Sequence, residues 1–263
     1  MPDAPVFKGA FKAVIPARYA STRLPGKPLL EIAGRPMIQH VHARAMESGA
    51  DEVVIALDDE RIRAAVEGFG GRACMTSTEH RNGAERINEV VERFGWGGET
   101  IVVNVQGDEP DCPPELIRQV AGLLAAHPEA QVATLAAPIG DAATLFDPNV
   151  VKVVCDGAGL AHYFSRAPIP WHRDGFAQSR DALPKGVDWL RHIGIYAYRA
   201  GYLARYVGLP PAPTEQAESL EQLRVLWHGG RICVGRACAL PGHGVDTPAD
   251  LERVRAAFAA RGE

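Results

Sequence analysis

The sequence predicts an α/β fold, a mainly parallel, doubly wound, Rossmann-like sheet with an inserted antiparallel hairpin portion. Three observations carry this prediction. Short, almost continuously apolar runs such as Glu52 to Leu57 and Thr100 to Gln106 alternate with longer stretches of helical period, a pattern that requires a sheet covered on both faces. Two strand-like runs, Val150 to Cys155 and Leu160 to Ser165, flank Asp156-Gly157, a hairpin signal that demands antiparallel pairing. No internal repeat, low-complexity tract or clear linker divides the 263 residues. One domain over residues 1–263 is therefore expected, with the antiparallel portion inserted at about 150–200.

Each element follows from its own residues. Lys12 to Pro16 is a short buried strand; Pro36 to Ser48 is a helix closed by Gly49, and Glu52 to Leu57 is the second strand. Asp59 to Phe69 is helical because Ile62, Ala65, Val66 and Phe69 share one face. Ala73 to Met75 is a third strand, Ala84 to Phe94 a helix and Thr100 to Gln106 the most apolar strand. Pro113 and Pro114 open a helix running to about Ala126, and Gln131 to Ala137 is another strand. Ala167 to Asp188 mixes Pro, Gly, Arg and Asp without periodicity and is expected to be one long functional loop. His192 to Tyr198 is a strand, Glu215 to Trp227 a helix, Arg231 to Cys238 a strand, and the last helix begins near Pro248. Within the helix at 215–227, Leu220, Leu223 and Trp227 form a core-facing or interface stripe that leaves Glu221 and Gln222 free to face a ligand.

Composition narrows the function. Lys plus Arg is 28 and Asp plus Glu 32, a net charge of −4, which argues against coating nucleic acid or an anionic membrane. At 46% hydrophobic and 23% charged, the chain is no disordered protein. The five cysteines make no C-x-x-C pair, so structural thiols in a reducing compartment are expected. Met1 to Ala10 lacks the apolar run of a signal peptide, and no stretch approaches eighteen apolar residues. A soluble cytoplasmic protein is the expectation, with no membrane insertion and no nucleic-acid partner. The scattered histidines lack metal spacing, and the tryptophans are expected to pack rather than stack on bases.

Three segments could carry chemistry. Gly26-Lys27 is followed by Pro28, so a Walker loop fails; Gly68, Gly70 and Ala73 enter a strand instead of leaving one, so a dinucleotide fingerprint fails too. After the first strand the chain reads A-R-Y-A-S-T-R-L-P-G-K-P, placing Arg18, Arg23 and Lys27 in one loop with Ser21, Thr22 and Gly26. At the carboxyl end of a central strand, such a loop offers N–H groups and positive charge to a polyphosphate, or is simply a solvated basic loop. Gln106-Gly107-Asp108-Glu109-Pro110 follows the most apolar strand and either holds a hard cation or caps the next helix. In Gly244-Val245-Asp246-Thr247-Pro248-Ala249-Asp250, Thr247 and Pro248 make a helix start that leaves Asp246 unassigned.

Taken together, these segments resemble the 3-deoxy-manno-octulosonate cytidylyltransferase family. The resemblance rests on P-A-R-Y-A-S-T-R-L-P-G-K-P-L from Pro16, V-N-V-Q-G-D-E-P from Val103 and Y-F-S-R-A-P-I-P-W from Tyr163. It continues with R-H-I-G-I-Y from Arg191, L-E-Q-L-R-V-L-W from Leu220 and G-V-D-T-P-A-D-L-E-R-V from Gly244, so it spans nearly the whole chain in order.

The resemblance implies a nucleotidyltransferase fold and an Mg²⁺-dependent enzyme. It would join CTP to 3-deoxy-D-manno-octulosonate (Kdo), giving CMP-Kdo and pyrophosphate for lipopolysaccharide biosynthesis, and would act as a homodimer. It implies that Arg18 and Lys27 contact the triphosphate with Arg23 in support, and that Ser21, Arg86 and Gln106 lie on the nucleotide side. Asp108 and Asp246 would be the metal ligands; Arg18, Lys27, Asp108 and Asp246 form the catalytic set. Arg166, His192, Tyr196, Glu221, Gln222 and again Gln106 fall in its sugar-binding segments, with Arg166 and His192 expected to meet the sugar carboxylate as cation or donor. One departure stands out: Gly83-Ala84-Glu85-Arg86 replaces the family's G-T-E-R, removing a hydroxyl that could help read the base. A cytidylyltransferase for another acidic sugar, sialate-like or amino-substituted, would use the same phosphate loop and aspartates. A non-catalytic nucleotide-binding protein on the same fold would be expected to lose the charged residues that are present here.

Overall fold

The structure is a computed structural model that describes residues 7–20 and 24–262. Its first half runs β1 (Lys12–Ala17), a 3-10 turn (Lys27–Leu29), the small hairpin β2 (Glu31–Ile32) and β3 (Arg35–Pro36), α1 (Met37–Glu47), β4 (Glu52–Leu57), α2 (Glu60–Gly68), β5 (Arg72–Met75), α3 (Gly83–Phe94), β6 (Ile101–Asn104), α4 (Pro114–Ala126) and β7 (Val132–Pro138). The second half runs α5 (Ala142–Phe146), β8 (Lys152–Cys155), β9 (Ala161–Ser165), α6 (Arg173–Gln178), β10 (Leu190–Arg199), α7 (Ala200–Val207), α8 (Pro213–Glu218), α9 (Leu223–Trp227), β11 (Ile232–Arg236) and α10 (Pro248–Ala260).

The main sheet has the order β11-β7-β10-β6-β1-β4-β5, with β8 and β9 branching from β10. β1 pairs in parallel with β4 and β6, β4 with β5, and β11 with β7. β10 alone runs against its neighbours β6 and β7 in the middle of the sheet. The expected antiparallel hairpin is β8–β9, with Val153 opposite Phe164, and it joins the sheet through Leu190 opposite Val153. The strands read as continuously apolar because both faces are covered. Ala13 and Ile15 of β1 pack with Ile38, Val41 and Leu116 on one face, while Val14 packs with Ile87, Val90 and Leu203 on the other. A smaller core of Ile32, Met37, Val245, Leu251, Val254 and Phe258 ties the C-terminal helix to the β2–β3 region.

Helix starts are capped where the sequence offers the residues. Asp59 accepts from the Arg61 amide at 2.9 Å, and Asn82 from the Glu85 amide at 2.9 Å. Asp59 is thus a cap and not the first helical residue of α2, and at α10 Thr247 and Asp250 make a reciprocal box.

Three expectations need correction. The helix expected over Glu215 to Trp227 is broken: α8 ends at Glu218, and Ser219 turns the chain with φ +52° before α9. The single helical stripe is broken with it, and it is not wholly core-facing: Leu220 and Leu223 are buried but Trp227 is 56% exposed. Ala167 to Asp188 is not unbroken loop but contains α6, and α5 and α7 are helices the periodicity did not announce.

Candidate active site

The site lies along the carboxyl ends of β1, β4 and β6, where glycine-containing turns leave the sheet. Gly26 takes φ +70°, and its amide donates to the Tyr19 carbonyl at 3.0 Å, closing the basic loop back on itself. Gly107 is required for a different reason. A Cβ there would stand 2.4 Å from the Pro16 carbonyl oxygen, so only glycine lets the turn after β6 lie against the end of β1. The Asp108 carbonyl then accepts the Val245 amide at 2.8 Å, drawing the segment before α10 onto the same rim.

That convergence brings the two distant aspartates together. The Lys27 ammonium donates to Asp108 Oδ2 at 2.9 Å, to Asp246 Oδ1 at 3.2 Å and to the Val245 carbonyl at 2.7 Å. Asp108 and Asp246 keep 36% and 52% of their side-chain surface, so both remain open to solvent and to ligands. Two accessible carboxylates around one cationic position are a hard-oxygen donor set, and Mg²⁺ commonly takes one or two protein carboxylates with phosphate and water completing its shell. Among the described residues no group of three or more His, Cys, Asp or Glu side chains gathers around a common point, so a closed transition-metal site is not built here. Behind Asp108, Glu109 is pushed up to about 7 by burial and by the neighbouring charge.

Beside this charged rim is a cavity of about 300 Å³. Gly83 and Ala84 of α3, Asn104 and Gln106 at the end of β6, Tyr196 and Tyr198 of β10, and Ser219 to Gln222 between α8 and α9 line it. Burial pushes the Tyr196 and Tyr198 phenols well up, so both stay neutral hydroxyls. The Gln106 amide nitrogen donates to the Gly194 carbonyl at 3.1 Å, which fixes the orientation of its side chain.

The expected site residues fall into three groups. Gln106, Tyr196, Glu221 and Gln222 share the cavity, while Lys27, Asp108 and Asp246 share the rim. Arg18 lies at the end of β1, close enough for its charge to act on both Glu221 and Arg86. Ser21 and Arg23 lie outside the described residues. Arg86 is fully buried, donating to Asp58 Oδ2 at 2.8 Å and to Thr76 Oγ1 at 2.5 Å, while Asp58 Oδ1 accepts the Tyr19 amide at 3.1 Å. It stands behind the basic loop and braces it. Arg166 spends its guanidinium on two backbone carbonyls, Glu218 at 2.7 Å and Pro148 at 2.9 Å, so it clasps the turn between α8 and α9. Burial pushes His192 down to about 3; it is a neutral ring against Tyr196, which leaves it the donor role and not the cationic one of the two expected from sequence.

Two residues escaped the sequence reading. Asn104 is 6% exposed and lines the cavity, yet its Oδ1 is buried with no hydrogen-bond partner. Thr134 is wholly buried and bonds His192. A polar residue at the end of an otherwise apolar strand was the available signal for Asn104.

Comparison with known proteins shows the family. The chain matches the cytidylyltransferase family over residues 12–232. It is 61% identical to the 3-deoxy-manno-octulosonate cytidylyltransferase of Pseudomonas fluorescens, over 94% of this chain and 97% of that one. The enzyme of the same name from Yersinia enterocolitica is 58% identical over 94% and 98%. A CMP:2-keto-3-deoxy-manno-octonic acid synthetase solved in complex with CTP superposes with a TM-score of 0.87 at 45% identity, covering 96% and 99%. A cytidylyltransferase from Leptospira borgpetersenii, at 14% identity and a TM-score of 0.60, shares the fold. With its basic loop, paired aspartates and polar cavity on one rim, the chain belongs to the 3-deoxy-manno-octulosonate cytidylyltransferase family.

Proposed function

We propose that the protein is the cytidylyltransferase that activates Kdo with CTP, giving CMP-Kdo and pyrophosphate. The observation that carries this is the Lys27 ammonium between Asp108 and Asp246, next to a cavity lined by neutral polar side chains. Arg18 and Lys27 neutralise the triphosphate and the charge that builds on the departing pyrophosphate. The cavity holds the sugar so that its anomeric oxygen faces the α-phosphorus. The oxygen–phosphorus bond forms as the bond to pyrophosphate breaks, a displacement that rests on positioning and charge neutralisation more than on covalent help. Asp108 and Asp246 would hold Mg²⁺, which supplies charge neutralisation at the phosphates and activation of an oxygen nucleophile. Arg86 contributes by holding Asp58, which in turn holds Tyr19 and the loop.

Assembly and location complete the proposal. Trp171 is 48% exposed beside Phe146 and Phe176 on the inserted portion, apolar surface that suits a two-fold contact between copies. All five cysteines are free thiols, and no helix among the described residues is long and apolar enough to cross a membrane; we place the reaction in the cytoplasm. The test is pyrophosphate release from a matrix of four nucleoside triphosphates and several acidic sugars with Mg²⁺. CTP with Kdo should exceed every other pair. Equal turnover with ATP or GTP overturns the base assignment, and faster turnover of an amino-substituted or sialate-like acid overturns the sugar.

A further inference from the structure

Between Ile193 and Tyr196 the register of β10 against β7 slips by a bulge. The feature facing that bulge is a single hydroxyl. Thr134 Oγ1 lies 2.7 Å from the Ile195 carbonyl oxygen, 3.1 Å from that of Ile193 and 2.9 Å from His192 Nε2. A hydroxyl carries one hydrogen. Were it given to His192, two carbonyl oxygens would crowd an oxygen with nothing between them. The hydrogen therefore goes to a carbonyl, and Nε2 must be the N–H that donates to Oγ1. The Nδ1 of His192 is then an acceptor, on a partly buried ring that packs against Tyr196 of the cavity wall. The same bulge turns the Gly194 carbonyl toward Gln106, whose Nε2 donates to it, leaving Gln106 Oε1 as the acceptor in the cavity.

We propose that Thr134 is a positioning residue for sugar recognition. By pinning the bulge and fixing the His192 tautomer, it arms one wall of the site with two acceptors, His192 Nδ1 and Gln106 Oε1, which take substrate hydroxyl protons and turn the carboxylate away. This rests on the proposed sugar-activating role of the site. Burial holds His192 down to about 3, so the ring stays neutral and the acceptor persists across the working pH range. Bulges next to active sites commonly re-aim side chains, and here the device is a buried threonine that touches no substrate itself.

Nuclear magnetic resonance of protein labelled with ¹⁵N-histidine, without substrate, tests the tautomer directly, with His192→Gln identifying the signal. A protonated Nε2 and a bare Nδ1 are expected; the reverse pattern, or a charged ring near neutral pH, overturns the proposal. Kinetics test the consequence. Thr134→Val should raise KM for Kdo about tenfold, with kcat and the KM for CTP near the parent, as loss of about one directed hydrogen bond implies. Thr134→Ser, which restores the hydroxyl, should return KM to within about threefold of the parent. If serine fails to rescue, or if Thr134→Val weakens CTP and Kdo equally, Thr134 is merely structural and the proposal falls. Should the valine variant not fold, the serine variant and the labelled parent still decide it. A parent that turns over no Kdo at all refutes the functional assignment instead, and the tautomer measurement stands apart from that result.

Discussion

His192 is a base held neutral inside the fold, and its surroundings make that cost visible in stability. The ring packs edge-on to Phe164 and against Tyr196, with burial as the cause of its low value of about 3. In the unfolded chain a histidine titrates near 6.5. As pH falls below that value the unfolded state takes up a proton that the native state refuses until about 3, so stability drains away across this window. The slope approaches about 1.4 kcal/mol per pH unit for one such group. Urea unfolding between pH 6 and 4 should therefore show the parent losing stability faster than His192→Gln by about that amount; parallel curves would mean that the ring is protonated in the native state. Residue by residue, charged side chains in glycine-containing turns after apolar strands, Lys27, Asp108 and Asp246, stood out in the sequence because solvated loops display their chemistry. Thr134 did not, because a polar residue inside a strand looks like any other core position until its partners are known, and Asn104 offered only its place at the end of an apolar strand. The neutral state of His192 and the backbone partners of Arg166 were not legible, because a side chain's charge and reach depend on neighbours that sequence spacing does not reveal.

Elements were legible where period and caps agreed. β4 spans the residues its apolar run marked, and α2, α3 and α10 begin beside their Asp, Asn and Thr caps. The helix over 215–227 failed because Ser219 adopts a left-handed conformation that leaves no trace in hydrophobic spacing. α7 was missed because it starts at Ala200, the residue after β10 ends, so no turn signal separates them. The central place of antiparallel β10 is a long-range pairing that no local pattern encodes. The glycine turn after β6 is the element on which the site's geometry turns. Gly107→Ala would drive a methyl into the Pro16 carbonyl and push the turn off β1, carrying Asp108 away from Lys27. We expect kcat to fall about 100-fold, as a displacement near 1 Å can cost, with a stability loss of about 1–3 kcal/mol from overpacking. A variant with parental kcat would show that the close approach is incidental.

At the scale of the whole molecule, one exposed ring bears on the proposed assembly and one ammonium on closure of the rim. The exposed Trp171 predicts a two-fold dimer through the inserted portion; Trp171→Glu should yield a monomeric mass by light scattering, and a parent already monomeric at micromolar concentration would refute the dimer. Closure of the catalytic rim depends on Lys27, which joins the loop after β1, the turn after β6 and the segment before α10. Asp246 has a rival role, since it stands just before the Thr247 cap and would favour the α10 dipole by about 0.3–1 kcal/mol. The geometry separates the two roles. Thr247 and Asp250 already complete the capping box, and the Asp246 carboxylate of the Lys27–Asp246 pair is half exposed, so the pair adds little to stability. Thr247→Ala should thus lower stability by about 1 kcal/mol with kcat near the parent. Asp246→Asn should do the opposite, melting like the parent while losing most of its turnover. Since Asp108 and Asp246 face one cationic position, the double asparagine variant should be little worse than either single one. Lys27→Ala should lower kcat by about 100-fold or more, because its charge matters most as pyrophosphate leaves. Calorimetry and pyrophosphate release on the same preparations check all five variants, Asp108→Asn included. If Asp246→Asn melts early and keeps its kcat at low Mg²⁺, Asp246 serves the helix, and the rim must take its cation through Asp108 alone.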